Sequence, residues 1–127
     1  MIVVDTSALV AIALKEEKSD ACIQALESES EILISAGTMA EVLVVSARRG
    51  FVDAVIGLLD GFDFEIEPVT TAFARRIGEA YAVWGKGLHP AGLNFGDCFA
   101  YVLAKERSCP LLFVGNHFSK TDIESVL

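Results

Sequence analysis

Three short runs constrain the fold most: Ile2-Val3-Val4, Ile32-Leu33-Ile34 and Leu111-Leu112-Phe113-Val114. Each is too short for a helix and is apolar at every position, so each reads as a strand buried on both faces. Such strands belong to parallel sheets covered by helices. The intervening stretches have helical spacing. It predicts helices from about Ser7 to Leu14, from Asp20 to Leu26 with Ser19 as cap, and from Thr38 to Arg49, stopped by Gly50. Further helices are predicted from Phe51 to Leu59, from Thr70 to Trp84, and from Phe95 to Arg107 with Asn94 as cap. Between Phe62 and Val69, Phe62, Phe64 and Ile66 alternate with Asp63, Glu65 and Glu67. This period of two marks a half-exposed edge strand, with Pro68 at its end. The fold class is therefore α/β: a central, mainly parallel sheet of four or five short strands covered by helices, in one domain over residues 1–127.

Composition limits what this fold can serve. The chain is 53% hydrophobic with a mean hydropathy of +0.49, yet charged residues interrupt every apolar run before the ~18 residues of a membrane span. The apolar excess points to a dense core and a buried subunit interface. No basic segment followed by a cleavage site marks a signal peptide. Cys22, Cys98 and Cys109 are odd in number and lack CxxC spacing, which suits core thiols of a reducing cytoplasm rather than a disulfide frame or zinc site. A formal charge of −8, taken alone, argues against nucleic acid as a partner and favours metal cations or a basic protein. It leaves room for a local basic rim around an acidic pocket.

Three carboxylates occupy equivalent places. Asp5 follows the first strand, Glu41 lies in the first turn of the helix after the second, and Asp97 lies in the first turn of the helix opened by Asn94. Strands of common polarity deliver their carboxyl ends, and the helix starts beside them, to one edge of the sheet. There ligands bind in α/β proteins. The segment after the last strand, with Asn116 and His117, reaches the same edge if that strand is parallel to the first. Each acid also has an ordinary reading: Asp5 as a helix cap, Thr38-x-x-Glu41 as a capping box, Asp97 as a first-turn acid favoured by the helix dipole. Clustered carboxylates, however, repel one another, and three together call for a cation. An all-oxygen set selects Mg²⁺ or Mn²⁺ over Zn²⁺, and Mg²⁺ pairs naturally with phosphate oxygens. That chemistry points to phosphodiester hydrolysis by activated water, with Thr6 and Ser7 either orienting groups at Asp5 or capping the helix.

The stretches Val4-Asp5-Thr6-Ser7-Ala8-Leu9, Ser35-Ala36-Gly37-Thr38-Met39-Ala40-Glu41 and Leu93-Asn94-Phe95-Gly96-Asp97-Cys98-Phe99-Ala100-Tyr101 resemble the three acidic motifs of PIN-domain ribonucleases. More narrowly they are similar to the VapC toxins of type II toxin–antitoxin pairs. His89-Pro90-Ala91-Gly92 and the segment from Leu111 to Ile123 extend the likeness over essentially the whole chain. The resemblance implies a PIN-like three-layer fold and a Mg²⁺-dependent endoribonuclease acting on structured RNA. It also implies a cytoplasmic homodimer inhibited by a small VapB-like antitoxin. Asp5, Glu41 and Asp97 become the catalytic and metal-site acids. The last motif of the family commonly carries an acid where this chain has Asn116 and His117. Asn116 can still meet a metal or its water, His117 could bind a metal or phosphate or be a plain turn residue, and Asp122 is the one acid nearby to compensate. Arg48, Arg49, Lys86 and Lys120 are candidates for phosphate contact. The acidic balance also suits a basic antitoxin tail whose arginine pairs with the carboxylates. Two alternatives stand beside the nuclease. One is a non-catalytic PIN-like module that holds RNA or protein at a weakened metal site. The other, disfavoured by the lack of a lysine after the last strand before Lys120, is a phosphoacceptor with Asp5 as acceptor.

Overall fold

The computed structural model describes residues 1–127. Four strands, β1 (Ile2–Val4), β2 (Ile32–Ser35), β3 (Phe64–Glu67) and β4 (Leu111–Leu112), form one sheet in the order β3-β2-β1-β4. All three pairings are parallel, with Ile2 opposite Ile32 and Val3 opposite both Leu33 and Leu111. Six helices surround it: α1 (Thr6–Ala13), α2 (Ser19–Ser28), α3 (Ala36–Arg49), α4 (Val52–Gly61), α5 (Thr71–Trp84) and α6 (Phe95–Arg107).

Alternation along β1 explains the three layers. Val3 faces a core built with Leu33, Leu111 and residues of α5 and α6, including Phe73, Ile77 and Leu103. Ile2 and Val4 face the other way, into a core with Ile34, Leu112 and residues of α1, α2, α3 and α4, among them Leu9, Leu26, Val42 and Val55. No face of β1 is left for polar residues, as its apolar run requires. Burying each such side chain contributes roughly 1.5–3 kcal/mol. The edge strand β3 keeps charged residues at its rim, with Glu67 paired to Arg107, which guards it against pairing with another chain.

Most predicted elements appear within a residue or two, and two caps do not. Ser19 lies inside α2, whose flanking residue Lys18 makes no side-chain cap. The helix after β2 starts at Ala36, two residues before Thr38. Ser35 caps it, accepting from the Gly37 N–H. Thr38 is thereby buried inside the helix with an unpaired hydroxyl, and no capping box links it to Glu41. Asn94 caps α6 as predicted, and Asp97, expected only as a first-turn acid, completes a capping box with it. No helix is long and apolar enough to cross a membrane.

The strand order has one reversal. From β1 the chain goes to β2 and β3 on one side, whereas β4 lies on the other. The switch point between β1 and β4 opens a crevice outside the carboxyl ends of these two strands, the usual place for a ligand in this architecture.

Candidate active site

The crevice at the switch point is a pocket of about 450 Å³ whose walls include Asp5, Thr6, Ser7, Glu41, Asn94, Asp97, Asn116 and His117. Every site residue predicted from the sequence lies there. No lysine or arginine lines it.

Asp5 comes first because β1 delivers it. Its backbone N–H bonds to the Leu112 carbonyl at 3.0 Å, so it sits on the seam between β1 and β4. Its Oδ2 accepts from the backbone N–H of Ser7 at 3.0 Å and from the Ser7 hydroxyl at 2.6 Å. The same hydroxyl accepts from the Val114 N–H at 3.0 Å. Ser7 therefore ties the loop after β4 to the end of β1 and fixes the Asp5 carboxylate. With one hydrogen donated and one accepted, its oxygen is a brace and not a free nucleophile.

Glu41 reaches the crevice from the second turn of α3, where the Thr6 hydroxyl donates to Oε1 at 2.5 Å. Gly96 makes room for it: a Cβ at that position would overlap the Glu41 carboxylate. Asp97 enters from α6. Its Oδ2 accepts from the Asn94 backbone N–H at 3.0 Å and lies 3.0 Å from Nδ1 of His117. Cap and site are thus not alternatives for Asp5 and Asp97; both residues cap a helix and line the crevice. Gly96 was not singled out by the sequence reading. A glycine inside the first turn of a helix, where it costs helix stability, is the signal that points to it.

Each acid commits one oxygen within the protein and leaves the other free. Asp5 is 3% exposed, and its Oδ1 is buried with no hydrogen-bond partner. Burial pushes its carboxyl from 3.8 up to about 6, the Ser7 bonds opposing, and the nearby Asp97 and Glu41 charges add to the rise. A buried carboxylate with an unpartnered oxygen and two acidic neighbours is stabilised by a cation. The donors are oxygens, which suit a hard divalent ion. The side chains are not closed into a finished cage: as they stand, no three Asp, Glu, His or Cys residues are arranged to ligate one ion. Their contacts with Thr6, Ser7, Asn94 and His117 fix their orientation.

Other candidates fall elsewhere. Asp122 accepts from the Tyr101 hydroxyl at 2.6 Å and pairs with Lys105 at 3.0 Å, so it does not replace a missing acid in the crevice. Arg49 lies over the Phe51 ring at 5.4 Å. Lys86 lines a neighbouring pocket that shares Asn94 with the crevice.

Comparison with known proteins agrees with this geometry. The model of the PIN domain family matches residues 2–124. Ribonuclease VapC28 of Mycobacterium tuberculosis is 41% identical over 132 residues, covering 98% of this chain and 97% of that protein. Ribonuclease VapC42 of the same species is 38% identical over 125 residues, covering 95% of each. Among solved structures, M. tuberculosis VapC20, described as a sarcin–ricin loop cleaving toxin, superposes with a TM-score of 0.81 at 16% identity, covering 99% of this chain and 98% of that one. A chain of a toxin–antitoxin complex from Klebsiella pneumoniae gives a TM-score of 0.69 at 18% identity, covering 96% and 93%. With an all-parallel three-layer fold, an acidic crevice at its switch point and this degree of likeness, the chain belongs to the PIN-domain family, among the VapC ribonucleases of toxin–antitoxin systems.

Proposed function

We propose that the chain is the toxin of its pair and hydrolyses RNA phosphodiester bonds at this crevice, with Asp5, Glu41 and Asp97 as the acids that hold Mg²⁺. Mn²⁺ can substitute. PIN-domain ribonucleases are metal-dependent as a class. The observation that carries the assignment is Asp5 Oδ1, buried and unpartnered beside two further carboxylates. Asn116, which lines the same crevice, is the next candidate oxygen donor. A bound divalent ion lowers the pKa of water, supplying a nucleophile, and offsets the negative charge that grows on the phosphate.

The protein's own groups position and exclude. Thr6 fixes Glu41, Ser7 fixes Asp5, and the Asn94 N–H fixes Asp97. Before an ion binds, the carboxylates repel phosphate, so cleavage depends on metal at the binding step as well as the chemical one. Phosphates flanking the scissile bond need cations outside the crevice, and exposed Arg48, Lys86 and Lys120 are the candidates. A small VapB-like antitoxin with an arginine tail fits the same acids. A homodimer covers exposed apolar side chains such as Val44, Leu88 and Phe95, which are 59%, 63% and 69% exposed. Three free cysteines suit the cytoplasm.

Replacing Asp97 with Asn tests the proposal. Mg²⁺-dependent cleavage of RNA by the purified chain should disappear, and growth arrest on expression should be relieved. Unchanged cleavage by D97N would remove the site assignment.

A further inference from the structure

We propose that Phe99 is a positioning residue of the crevice: its ring, seated on Gly37, interlocks α6 with α3 and so sets the spacing of Glu41 and Asp97. The inference rests on the metal site proposed above. It concerns what holds two of its acids in register, not which atoms bind.

The two acids arrive on different helices. Glu41 stands on α3 and Asp97 on α6, and α3 packs directly against α6. The contacts that orient the two carboxylates lead away from that packing. Glu41 accepts from Thr6 of α1, whereas Asp97 accepts from the Asn94 N–H and meets His117. Their separation is therefore left to the fit of the two helices.

Two glycines key that fit. A Cβ at Gly37 would overlap Cγ, Cδ1 and Cε1 of the Phe99 ring, and a Cβ at Gly96 would overlap the Glu41 carboxylate. Gly37 and Glu41 are four apart on α3, and Gly96 and Phe99 are three apart on α6, so each pair shares one helix face. The notch on each helix takes the larger side chain of the other. Neither helix can slip by a residue without setting a side chain where a glycine now stands. Glycine weakens a helix relative to alanine, so two at one contact mark close approach and not helix propensity.

The two notches differ in what would yield. At Gly96 the overlapped atoms are the mobile end of Glu41. At Gly37 they include Cγ, which a single Cβ ties to the α6 backbone, so the ring moves only by changing rotamer or by moving its helix. Phe95, one turn earlier, meets the Phe99 ring edge-to-face with centroids 5.0 Å apart and backs it in place. Phe99 is not part of the crevice wall, so its influence passes through the helices.

Calorimetric titration of the tag-free, full-length chain with Mn²⁺, beside its melting temperature in chelator, tests this role. Gly37→Ala should weaken Mn²⁺ binding about tenfold, the low end of what disturbing a ligand's support produces. With the ring removed, the same substitution should matter little: F99A and G37A/F99A should agree within about threefold. F99L and G37A/F99L, gentler on the fold, give the same comparison. Ile77→Ala, a core truncation on α5, should lower the melting temperature and leave Mn²⁺ affinity unchanged. Wild-type affinity in G37A, or an equal loss with and without the ring, overturns the role of Phe99 and leaves the three acids standing. No Mn²⁺ uptake by wild type at millimolar concentration overturns the metal site and this inference with it.

Discussion

The crevice and the seam between α5, α6 and the C-terminal segment both hold polar groups against a core, and they treat them in opposite ways. In the seam, Trp84 Nε1–H donates to the Tyr101 hydroxyl at 2.9 Å, Tyr101 donates to Asp122 at 2.6 Å, and Lys105 meets the other Asp122 oxygen at 3.0 Å. Every donor has an acceptor and the carboxylate has a cation. In the crevice three carboxylates meet no lysine or arginine, and one buried oxygen has no partner. The seam is complete in itself and serves the fold. The crevice is the site proposed to take a cation. Of the two buried polar atoms without a partner, Thr38 Oγ1 lies inside α3 and Asp5 Oδ1 lines the crevice beside two further carboxylates, so it is the clustering of charge around the unpaired oxygen that sets the crevice apart.

The contrast can be broken in four places. The largest effect is expected at the acids: D97N or D5N should lower RNA cleavage by on the order of 10³-fold or more, as loss of a group that stabilises transition-state charge does. A single-turnover assay at saturating Mg²⁺ checks it. Next is Gly96→Ala. Its methyl must displace the Glu41 carboxylate, the mobile end of a side chain, so cleavage should fall roughly 10²-fold while the melting temperature barely moves. A melting temperature that drops with activity would show that Gly96 serves the fold instead.

Third is the pH dependence of the metal-free protein. The folded chain holds the Asp5 proton more tightly than the unfolded one, because its carboxyl is raised from 3.8 to about 6. The contribution of this residue is therefore most favourable below about pH 4 and is lost as pH rises to about 6, a change on the order of 3 kcal/mol. Urea unfolding in chelator from pH 4 to 8 should show this fall in wild type and a flatter profile in D5N. The smallest effect belongs to the seam. Tyr101→Phe removes one hydroxyl from a satisfied chain and should cost about 1–2 kcal/mol of stability, with cleavage unchanged.

How far the molecule can be read from its sequence follows the same division. β1, β2 and the Asn94 cap are legible because each depends on residues next to one another in the chain. The cap at Thr38 misleads because Ser35, at the end of β2, is equally able to start the helix and stands three residues earlier. Once Ser35 takes the cap, Glu41 is released to Thr6, an interaction spanning 35 positions. The Ser7–Val114 tie spans 107 positions and exists only because β4 lies beside β1. No local pattern announces it. Gly96 matters through the space its missing side chain leaves for a residue on another helix, which is again a tertiary property. His117 could be placed at the right edge from the sequence, but its approach to Asp97 could not.

The most direct test of the central claim is the thermal response of wild type and D5N to Mg²⁺ at pH 8. If the crevice is unfinished without an ion, wild type should melt several degrees higher as Mg²⁺ passes well above its dissociation constant. D5N, relieved of a buried charge, should start higher than wild type in chelator and gain almost nothing from Mg²⁺. An equal rise in both proteins, or no rise in wild type at any millimolar concentration, would contradict the account.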